Sequence, residues 1–252
     1  MKKQQRFKYI VEYLKDINLA TVEDLVNELN VSPATIRRDL VDLDDQGVVR
    51  RTHGGVTLNN FVPSQLSFNE KNSLYVNEKK RIAQAASMHI ESGMTVLLDA
   101  GTTTMEIAKC INHLPLRVIT SDLRIALYLS QFKQIEVTVL GGQIDNSSQS
   151  CIGEHARLLL RSINTDIVFI SCNYWSIPHG VTAPTDAKTA LKIEMMACAR
   201  QKVLVADSGK YNTCTLFKIS NLDDFNYIVS DNNLDEEEVI KLNEINPEVF
   251  LV

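Results

Sequence analysis

Residues 32–40 read SPATIRRDL, and this stretch decides the fold of the N-terminal part of the chain. Ser32 is a favourable N-cap, and Pro33 takes the first helical position, where a missing N–H does no harm. Ile36, Leu40 and Leu43 follow at helical spacing, which gives the helix one apolar face. The stretch therefore predicts a short helix that packs against a core through these three residues.

The other face of this predicted helix carries side chains suited to reading DNA. Five residues precede the helix, flank its apolar face or point outward from it: Ser32, Ala34, Thr35, Arg37 and Arg38. The first turns of a recognition helix meet base edges, where arginine can fork onto guanine and threonine can contact a phosphate or a thymine methyl group. Asp39 is expected to orient one arginine rather than to contact DNA.

Two helices are predicted before this stretch and a hairpin after it. Apolar spacing predicts a first helix around Phe7–Leu14 and a second one after the N-cap Thr21. In Val48–Leu58, two β-prone runs flank a Gly-Gly pair, which favours a hairpin. Residues 1–58 are therefore interpreted as a winged helix-turn-helix domain. Three basic side chains of the wing are expected to reach phosphates or the minor groove: Arg50, Arg51 and His53.

The bulk charge of this domain gives no support of its own for nucleic-acid binding. Residues 1–58 hold nine basic and nine acidic side chains, and the whole chain has a net charge of −5. Phosphate contacts depend on local charge, however, and the arginines come in two adjacent pairs. A helical bundle with surface arginines, or a winged helix that contacts protein, is the alternative interpretation.

Length and composition narrow the class of protein. With 252 residues and an apolar fraction of 44%, the chain is long enough for two packed domains. It has no signal-peptide pattern at its N-terminus and no run of about 18 apolar residues, so a cytoplasmic protein with no membrane partner is expected. The five cysteines are scattered, without a C-x-x-C pair. Neither a disulfide nor a metal site is predicted, and no cofactor is implied.

The segment 59–77 is interpreted as a linker, because it is polar and has no sustained period. The segment from residue 78 to the C-terminus starts with a predicted helix over about Glu78–His89. After this helix, β-prone runs alternate with helical patterns. Seven runs are predicted as strands: Thr95–Asp99, Arg117–Thr120, Glu136–Leu140, Ile167–Ser171, Val203–Ala206, Tyr227–Val229 and Val249–Val252. The alternation predicts an α/β domain over residues 78–252 with a largely parallel open sheet.

The turn after the first of these strands has the features of a phosphate cradle. Gly101, Thr102 and Thr103 would place backbone N–H groups, hydroxyls and a helix N-terminus around one point, which favours an anion. An ordinary capped turn uses the same residues, so this motif alone leaves both interpretations open. Other loops at the same edge of the sheet, where open α/β sheets bind ligands, add Thr120, Ser121, Gly141, Gly142 and Gly153.

Two lysines give a separate indication of an anion site. Lys188 and Lys192 share a helix face and have no acidic residue three or four positions away. A bare like-charge pair costs roughly a few tenths of a kcal/mol, and lysine near a helix N-terminus opposes the dipole, so a bound anion would relieve both. Two solvated lysines that point apart are the alternative. Asp207 and Lys210, which also follow a strand, would complete the pocket or pair with each other.

The motifs VSPATIRRDL and RRTHGGVTL closely resemble those of the DeoR/GlpR family of bacterial sugar-metabolism regulators, and the resemblance continues to the C-terminus. It implies that the N-terminal domain has a recognition helix and a wing, and that the protein is a repressor that binds double-stranded operator DNA. It also implies that the α/β domain is related to sugar-phosphate isomerases. Its implied ligand is a small phosphorylated sugar or sugar-acid effector. Family pocket positions are matched at Gly101, Thr102, Thr103, Gly141, Gly142, Gly153, Lys192, Asp207 and Lys210.

Other residues in the expected pocket depart from the family pattern. Many members have a Phe-Gly strand end and then Gly-Ile-Asp where this chain has Ile170–Ser176, many have glutamate at Lys188, and many read Ser-Lys-Phe-Gly around Lys210. Tyr174–Ser176 and Lys188 resemble a branch associated with the catabolism of four-carbon sugar acids. An extra lysine suits a carboxylate as well as a phosphate, so the identity of the effector stays open.

An active isomerase or sugar-phosphate hydrolase fused to a DNA-binding domain is the competing hypothesis. Isomerisation needs a positioned general base, and the strand ends offer Asp99, Asp122 and Asp207. No second carboxylate or histidine lies near them in sequence at a spacing typical of a catalytic pair, so no catalytic residue is predicted and a non-enzyme is expected.

Since helix-turn-helix proteins commonly bind paired half-sites, a homo-oligomer, dimer or tetramer, is also expected.

Overall fold

The computed structural model describes residues 3–17, 19–45, 48–52, 55–58, 68–245 and 247–252. The chain divides into two compact units, Met1–Pro63 and Ser64–Val252. His53, which the sequence places on the wing, lies outside the described residues, and so does the part of the predicted linker from 59 to 67.

The N-terminal unit has the element order of a winged helix-turn-helix. Its elements are α1 (Lys3–Ile17), α2 (Val22–Leu29), α3 (Pro33–Asp45), β1 (Val49–Thr52) and β2 (Gly55–Leu58). The two strands pair antiparallel, with Val49 opposite Leu58. The apolar helix faces predicted from spacing meet in a core in which Ile10, Leu25 and Ile36 are fully buried. The predicted fold of this part is confirmed.

Caps fix the beginnings of α2 and α3. Thr21 and Asp24 form a capping box: Asp24 N–H donates to Thr21 Oγ1 at 3.1 Å, and Thr21 N–H donates to Asp24 Oδ2 at 2.8 Å. Ser32 Oγ accepts the N–H of Thr35 at 3.2 Å. Caps of this kind stabilise a helix by about 1 kcal/mol each. They set where the helix with the outward arginines begins.

The C-terminal unit is an α/β domain. Its helices are α4 (Phe68–Ser73), α5 (Val76–Ser87), α6 (Thr102–Ile111), α7 (Leu123–Leu129), α8 (Glu154–Leu160), α9 (Asp186–Ala197) and α10 (Glu236–Asn243). Its strands are β3 (Thr95–Leu98), β4 (Leu116–Thr120), β5 (Ile135–Val139), β6 (Gln143–Asp145), β7 (Ser150–Ile152), β8 (Thr165–Ile170), β9 (Tyr174–Ser176), β10 (Gly180–Ala183), β11 (Ala199–Val205), β12 (Phe217–Ser220), β13 (Tyr227–Ser230) and β14 (Glu248–Leu251).

The main sheet has the strand order β14-β13-β11-β8-β3-β4-β5, and its neighbouring strands are parallel. Val96, Leu97 and Leu98 are completely buried, because helices cover both faces. Leu97 joins the core under α8 and α9, whereas Val96 and Leu98 join the core under α5 and α6. Strands buried on both faces read as continuous apolar runs, and each predicted run corresponds to a strand of this sheet. The predicted fold class is confirmed.

Smaller antiparallel sheets accompany the main sheet, and the sequence pattern does not predict them. β6 and β7 form a hairpin, and β9, β10 and β12 form another sheet. Their strands have three or four residues each, too few for an alternating pattern to show. On β9, Trp175 is fully buried, with its ring centroid 4.7 Å from that of Tyr211. Its role is core packing.

Part of the predicted linker is helical. Residues Phe68–Ser73 form α4, and α5 begins at Val76 rather than at Glu78. Six residues span fewer than two helical turns, so no period is visible in the sequence. The difference matters because α4 carries Lys71, which is not among the residues predicted for the site.

Candidate DNA-reading helix and effector cavity

The outward face of α3 is accessible. Thr35 is half-buried, with its hydroxyl 2.9 Å from that of Ser32. The exposed residues are Ser32, Ala34, Arg37 and Arg38. As DNA contacts they remain predictions, but the burial of the opposite face leaves them free to meet a groove.

Asp39 orients an arginine of α1. Arg6 Nε donates to Asp39 Oδ2 at 2.6 Å, and Arg6 Nη2 donates to Asp39 Oδ1 at 3.0 Å. These side-chain hydrogen bonds favour the charged guanidinium and raise the pKa of Arg6. Asp39 is buried, so the pair ties α1 to α3. The spacing of residues along α3 could not reveal Arg6 as the partner of Asp39, because Arg6 lies on another helix. Arg37 and Arg38 do not take part in this pair and stay exposed.

The wing arginines lie on β1. Arg50 is opposite Thr57 and Arg51 is opposite Val56, and both arginine side chains are exposed. Successive side chains of a strand point to opposite faces. The pair therefore presents one arginine on each face of the hairpin.

A cavity lies at the carboxyl ends of β3, β4 and β8, the edge of the sheet that the sequence predicts. It spans about 550 Å³ that protein atoms do not occupy, part of which is open to solvent. Its walls are formed by Lys71, Asp99, Ala100, Gly101, Thr102, Ser121, Ser148, Ser150, Ile152, Ser171, Cys172, Asn173, Lys188, Leu191, Lys192 and Lys210. Of the predicted effector residues, Gly101, Thr102, Ser121, Lys188, Lys192 and Lys210 are thus brought together. We call this space the effector cavity.

The two lysines of α9 are paired with aspartates that are remote in sequence. Lys188 Nζ lies 2.7 Å from Asp145 Oδ2, and Lys192 Nζ is paired with Asp99 Oδ2. The prediction of a bare like-charge pair is therefore wrong, since both ammonium groups have a carboxylate. The two side chains nonetheless share the cavity wall and are not solvated lysines that point apart.

Asp99 joins the ends of β3 and β8. Its Oδ2 accepts the N–H of Ser171 at 3.0 Å and the hydroxyl of Ser171 at 2.9 Å. Lys192 Nζ also donates to Ser171 O at 2.9 Å. All three side chains are buried. This network fixes the ammonium of Lys192 in the wall of the cavity.

The β6–β7 hairpin is anchored to Lys188 through Asp145. Asp145 Oδ2 accepts from Ser147 Oγ at 2.6 Å and from Ser148 N at 2.9 Å, and Lys188 Nζ donates to Ser147 Oγ at 2.9 Å. Burial raises the pKa of Asp145, but the hydrogen bonds from Lys188 and the serines lower it more, well below its usual range. The anchor holds Ser148 and Ser150 at the cavity.

Lys210 lines the effector cavity and also pairs with Asp207, whereas Asp207 does not line that cavity. Lys210 Nζ lies 3.1 Å from Asp207 Oδ2. Burial lowers the pKa of Lys210 and the Asp207 charge raises it, with a net shift upward. Asp207 itself lines an adjoining second cavity of about 450 Å³, together with Tyr75 and Lys79.

Lys71 on α4 is a fourth cavity lysine, and it forms no ion pair with a residue in the described part of the chain. Its pKa is lowered to about 7, first by burial and then by the charges of Lys210, Lys188 and Lys192. Three lysine–aspartate pairs are neutral in sum, so a protonated Lys71 is the surplus positive charge. An anion would satisfy it.

The N-terminus of α6 opens on the same cavity. Gly101 is the N-cap and supplies no side-chain acceptor, so the first N–H groups of α6 have no side-chain cap. Thr102 lines the cavity, and the buried hydroxyl of Ser121 beside it has no hydrogen-bond partner among the described atoms. A Cβ on Gly101 would lie 2.7 Å from Ser171 Oγ. Of the predicted cradle, Gly101 and Thr102 line the cavity and Thr103 does not. Anion binding at this turn stays a prediction.

Other predicted effector residues do not line this cavity: Thr103, Thr120, Gly141, Gly142, Gly153 and Asp207. Thr103 is fully buried, and Thr120 Oγ1 accepts the N–H of Asp122 at 3.0 Å. Gly142 has a φ of 133°, and a Cβ there would lie 2.5 Å from Ile152 O. This glycine permits a close approach of backbone within the β6–β7 hairpin, and its role in effector binding stays a prediction.

The two units match two domain families. Residues 6–61 match the DeoR-like helix-turn-helix domain, and residues 75–232 match the DeoR C terminal sensor domain. The chain belongs to the DeoR family. The resemblance found in its recognition helix and wing is confirmed.

Relatives of this DeoR-family chain align over nearly its whole length. An uncharacterized HTH-type transcriptional regulator of Haemophilus influenzae is 36% identical, over 98% of this chain and 97% of that one. The lactose phosphotransferase system repressor of Staphylococcus epidermidis is 30% identical, over 96% and 97%. Among solved structures, ribose 5-phosphate isomerase A of Methanocaldococcus jannaschii has a TM-score of 0.40 at 16% identity, with 54% of this chain and 55% of that chain covered.

Each carboxylate considered as a general base is engaged in this DeoR-family protein. Asp99 is held by Ser171 and Lys192, Asp207 pairs with Lys210, and Asp122 caps α7 by accepting Arg124 N–H at 2.9 Å.

Within the described ranges, no group of three or more His, Cys, Asp or Glu residues could hold a metal ion. No helix in those ranges is long and apolar enough to span a membrane.

Proposed function

We propose that the chain is a transcriptional repressor that binds operator DNA and is controlled by a phosphorylated sugar or sugar-acid effector in the sensor domain. The regulated operon would serve carbohydrate or sugar-acid catabolism. The family and the named repressor among the relatives support this class of function. The protein would work in the cytoplasm, where the operator is. The four-carbon sugar-acid branch stays a prediction.

The observation that carries the effector proposal is the convergence of four lysines on one cavity. Lys188, Lys192 and Lys210 are each neutralised by an aspartate, and Lys71, when protonated, adds a charge without a described acidic partner. A lysine–aspartate pair offers donors and an acceptor to sugar hydroxyls. The surplus charge on Lys71, with the open N-terminus of α6, favours one anionic group on the ligand.

The recognition helix supports the DNA-binding part of the proposal. α3 is capped at its start, buried on one face, and exposes Arg37 and Arg38 on the other. These arginines are the candidates for base readout, and Arg50 and Arg51 are the candidates for phosphate or minor-groove contacts. Arg6 acts indirectly, because its guanidinium is engaged with Asp39.

We further propose a homo-oligomer in which the effector changes how the DNA-binding domains are oriented toward paired half-sites. Sedimentation of the full chain at micromolar concentration should show a dimer or a tetramer. A monomer alone, at concentrations where operator DNA is bound, would contradict this part.

A thermal-shift screen against sugar phosphates, sugar acids and their phosphates tests the effector site. A ligand at roughly a hundred times its Kd should stabilise the sensor domain by about 2.7 kcal/mol. The same ligand should lose most of this effect on Lys71→Met and keep it on Lys80→Met, since Lys80 is an exposed lysine outside the cavity walls. If the whole panel leaves the folded protein unshifted, the effector proposal fails while DNA binding stands.

A further inference from the structure

The corner between α4 and α5 rests on the turn that carries Lys210. A Cβ built on Gly209 would lie 2.3 Å from Cζ and 2.5 Å from Oη of Tyr75, so the tyrosine ring lies directly against the glycine, although both residues keep an exposed side. Tyr75 has a φ of 53°, a left-handed conformation that is unfavourable for a residue with a side chain. Packing must hold it there, and the Gly209 contact is part of that packing.

A second contact holds the same corner. Lys79 Nζ on α5 donates to Lys71 O at 2.5 Å and to Leu74 O at 2.6 Å, and Lys79 is buried. Carbonyl groups at the end of a helix lack partners within it, and a cation there suits the helix dipole. Burial lowers the pKa of Lys79 to about 8. The end of α4 is thus fastened to α5.

The corner sits where the two cavities meet. The effector cavity and the second cavity share Lys71, Asn173 and Lys210 in their walls. Lys71 is supplied by α4 and Lys210 by the turn beneath Tyr75. The separation of these two ammonium groups therefore depends on how the corner is seated on Gly209.

We propose that Tyr75 is a positioning residue: its ring, seated on Gly209, fixes Lys71 beside Lys210 and so sets the affinity of the effector cavity for an anionic group. Tyr75 does not line the effector cavity, so it acts through Lys71. This inference rests on the proposed function, because it assigns the anionic group of the effector to these two lysines. A side chain at position 209 would displace the ring, because its Cβ and the ring would occupy the same space.

The test measures the binding of inorganic phosphate to the full chain by isothermal titration calorimetry. Gly209→Ala should weaken phosphate binding by about tenfold, because coupling between residues in contact is of this order. Tyr75→Ala should weaken phosphate binding by a similar factor. Since both changes break one contact, the double variant should bind no more weakly than Tyr75→Ala alone. Tyr75→Phe keeps the ring and should restore wild-type affinity. In a Lys71→Met background, Tyr75→Ala should cause no further loss.

Amide hydrogen exchange in the protein without added phosphate gives a second readout. Tyr75→Ala should speed exchange at residues 71–74, whereas Tyr75→Phe should not. Unchanged exchange, or losses of affinity that add in full in the double variant, would overturn the role of Tyr75 and leave the effector site standing. If the folded wild-type chain binds no phosphate while Lys71 is protonated, the anion site itself fails, and the role of Tyr75 with it.

Discussion

Lys188 of α9 reaches across to Asp145 of the β6–β7 hairpin, with 2.7 Å between its Nζ and Asp145 Oδ2. Ser147 and Ser148 donate to the same carboxylate oxygen. The hairpin is thereby fixed at the mouth of the effector cavity, and Lys188 is both a cavity side chain and an anchor.

Asp145→Asn should loosen this anchor. The loss of a charge-assisted network is expected to cost about 1–3 kcal/mol of unfolding free energy, measured by chemical denaturation at neutral pH. The pKa of Asp145 is lowered in the fold, so its contribution is complete above the unfolded value of about 4 and is lost as pH falls below that value. The variant should show less acid sensitivity than the wild type. Equal stability of the two proteins at neutral pH would refute the anchoring role.

Lys71 should make anion binding dependent on pH. Its pKa is about 7 without ligand, and a bound anion raises it, so affinity is highest below that value and falls as pH rises through the pKa of the complex. Sulfate is a suitable probe because it keeps its two charges over this range. Lys71→Arg, which cannot lose its proton, should remove the part of the pH dependence that Lys71 causes. An identical slope in Lys71→Arg would exclude Lys71 as the titrating group.

Arg38→Ala should weaken specific operator binding by about 1–3 kcal/mol and relax base preference at one position, if this exposed arginine of α3 reads a base. Lys8→Ala, on an exposed position of α1, is the matched control. Fluorescence anisotropy with specific and scrambled DNA at fixed salt compares them. Equal losses for both variants would mean that α3 is not the reading helix.

Asp39→Asn should weaken operator binding even though Asp39 is buried. The change weakens the hold on Arg6, whose two bonds at 2.6 and 3.0 Å join α1 to α3. Arg6→Ala in the same background should add little, because the two residues act as one pair. Independent, additive losses in operator affinity would show that Arg6 has a separate role, such as contacting a phosphate.

The parts of the fold that the sequence predicts are those with a local signal. Ser32, Pro33 and the spacing of Ile36 and Leu40 are enough for α3, and continuous apolar runs such as Val96–Leu98 are enough for the central strands. The positions of the strand ends then predict the edge of the sheet at which Gly101 and Ser121 line one cavity. Local chemistry and the topology rule for open sheets account for this success.

The rest of the site depends on contacts between residues far apart in the chain. Nothing near Lys188 in sequence indicates Asp145, and nothing near Asp39 indicates Arg6. The sequence does not indicate Lys71 as a site residue, because α4 is too short to show a helical period. Tyr75 meets Gly209 only through tertiary packing. Partners of this kind follow from the folded arrangement, which single-sequence patterns do not encode.

Operator affinity of the full chain, with and without the effector found by the thermal-shift screen, tests the central claim most directly. The account predicts that saturating effector changes the Kd for operator DNA by about tenfold or more in the wild type, and that Lys71→Met binds the operator but loses this response. An operator affinity that is unchanged at saturating effector, in a protein that binds both ligands, would contradict it.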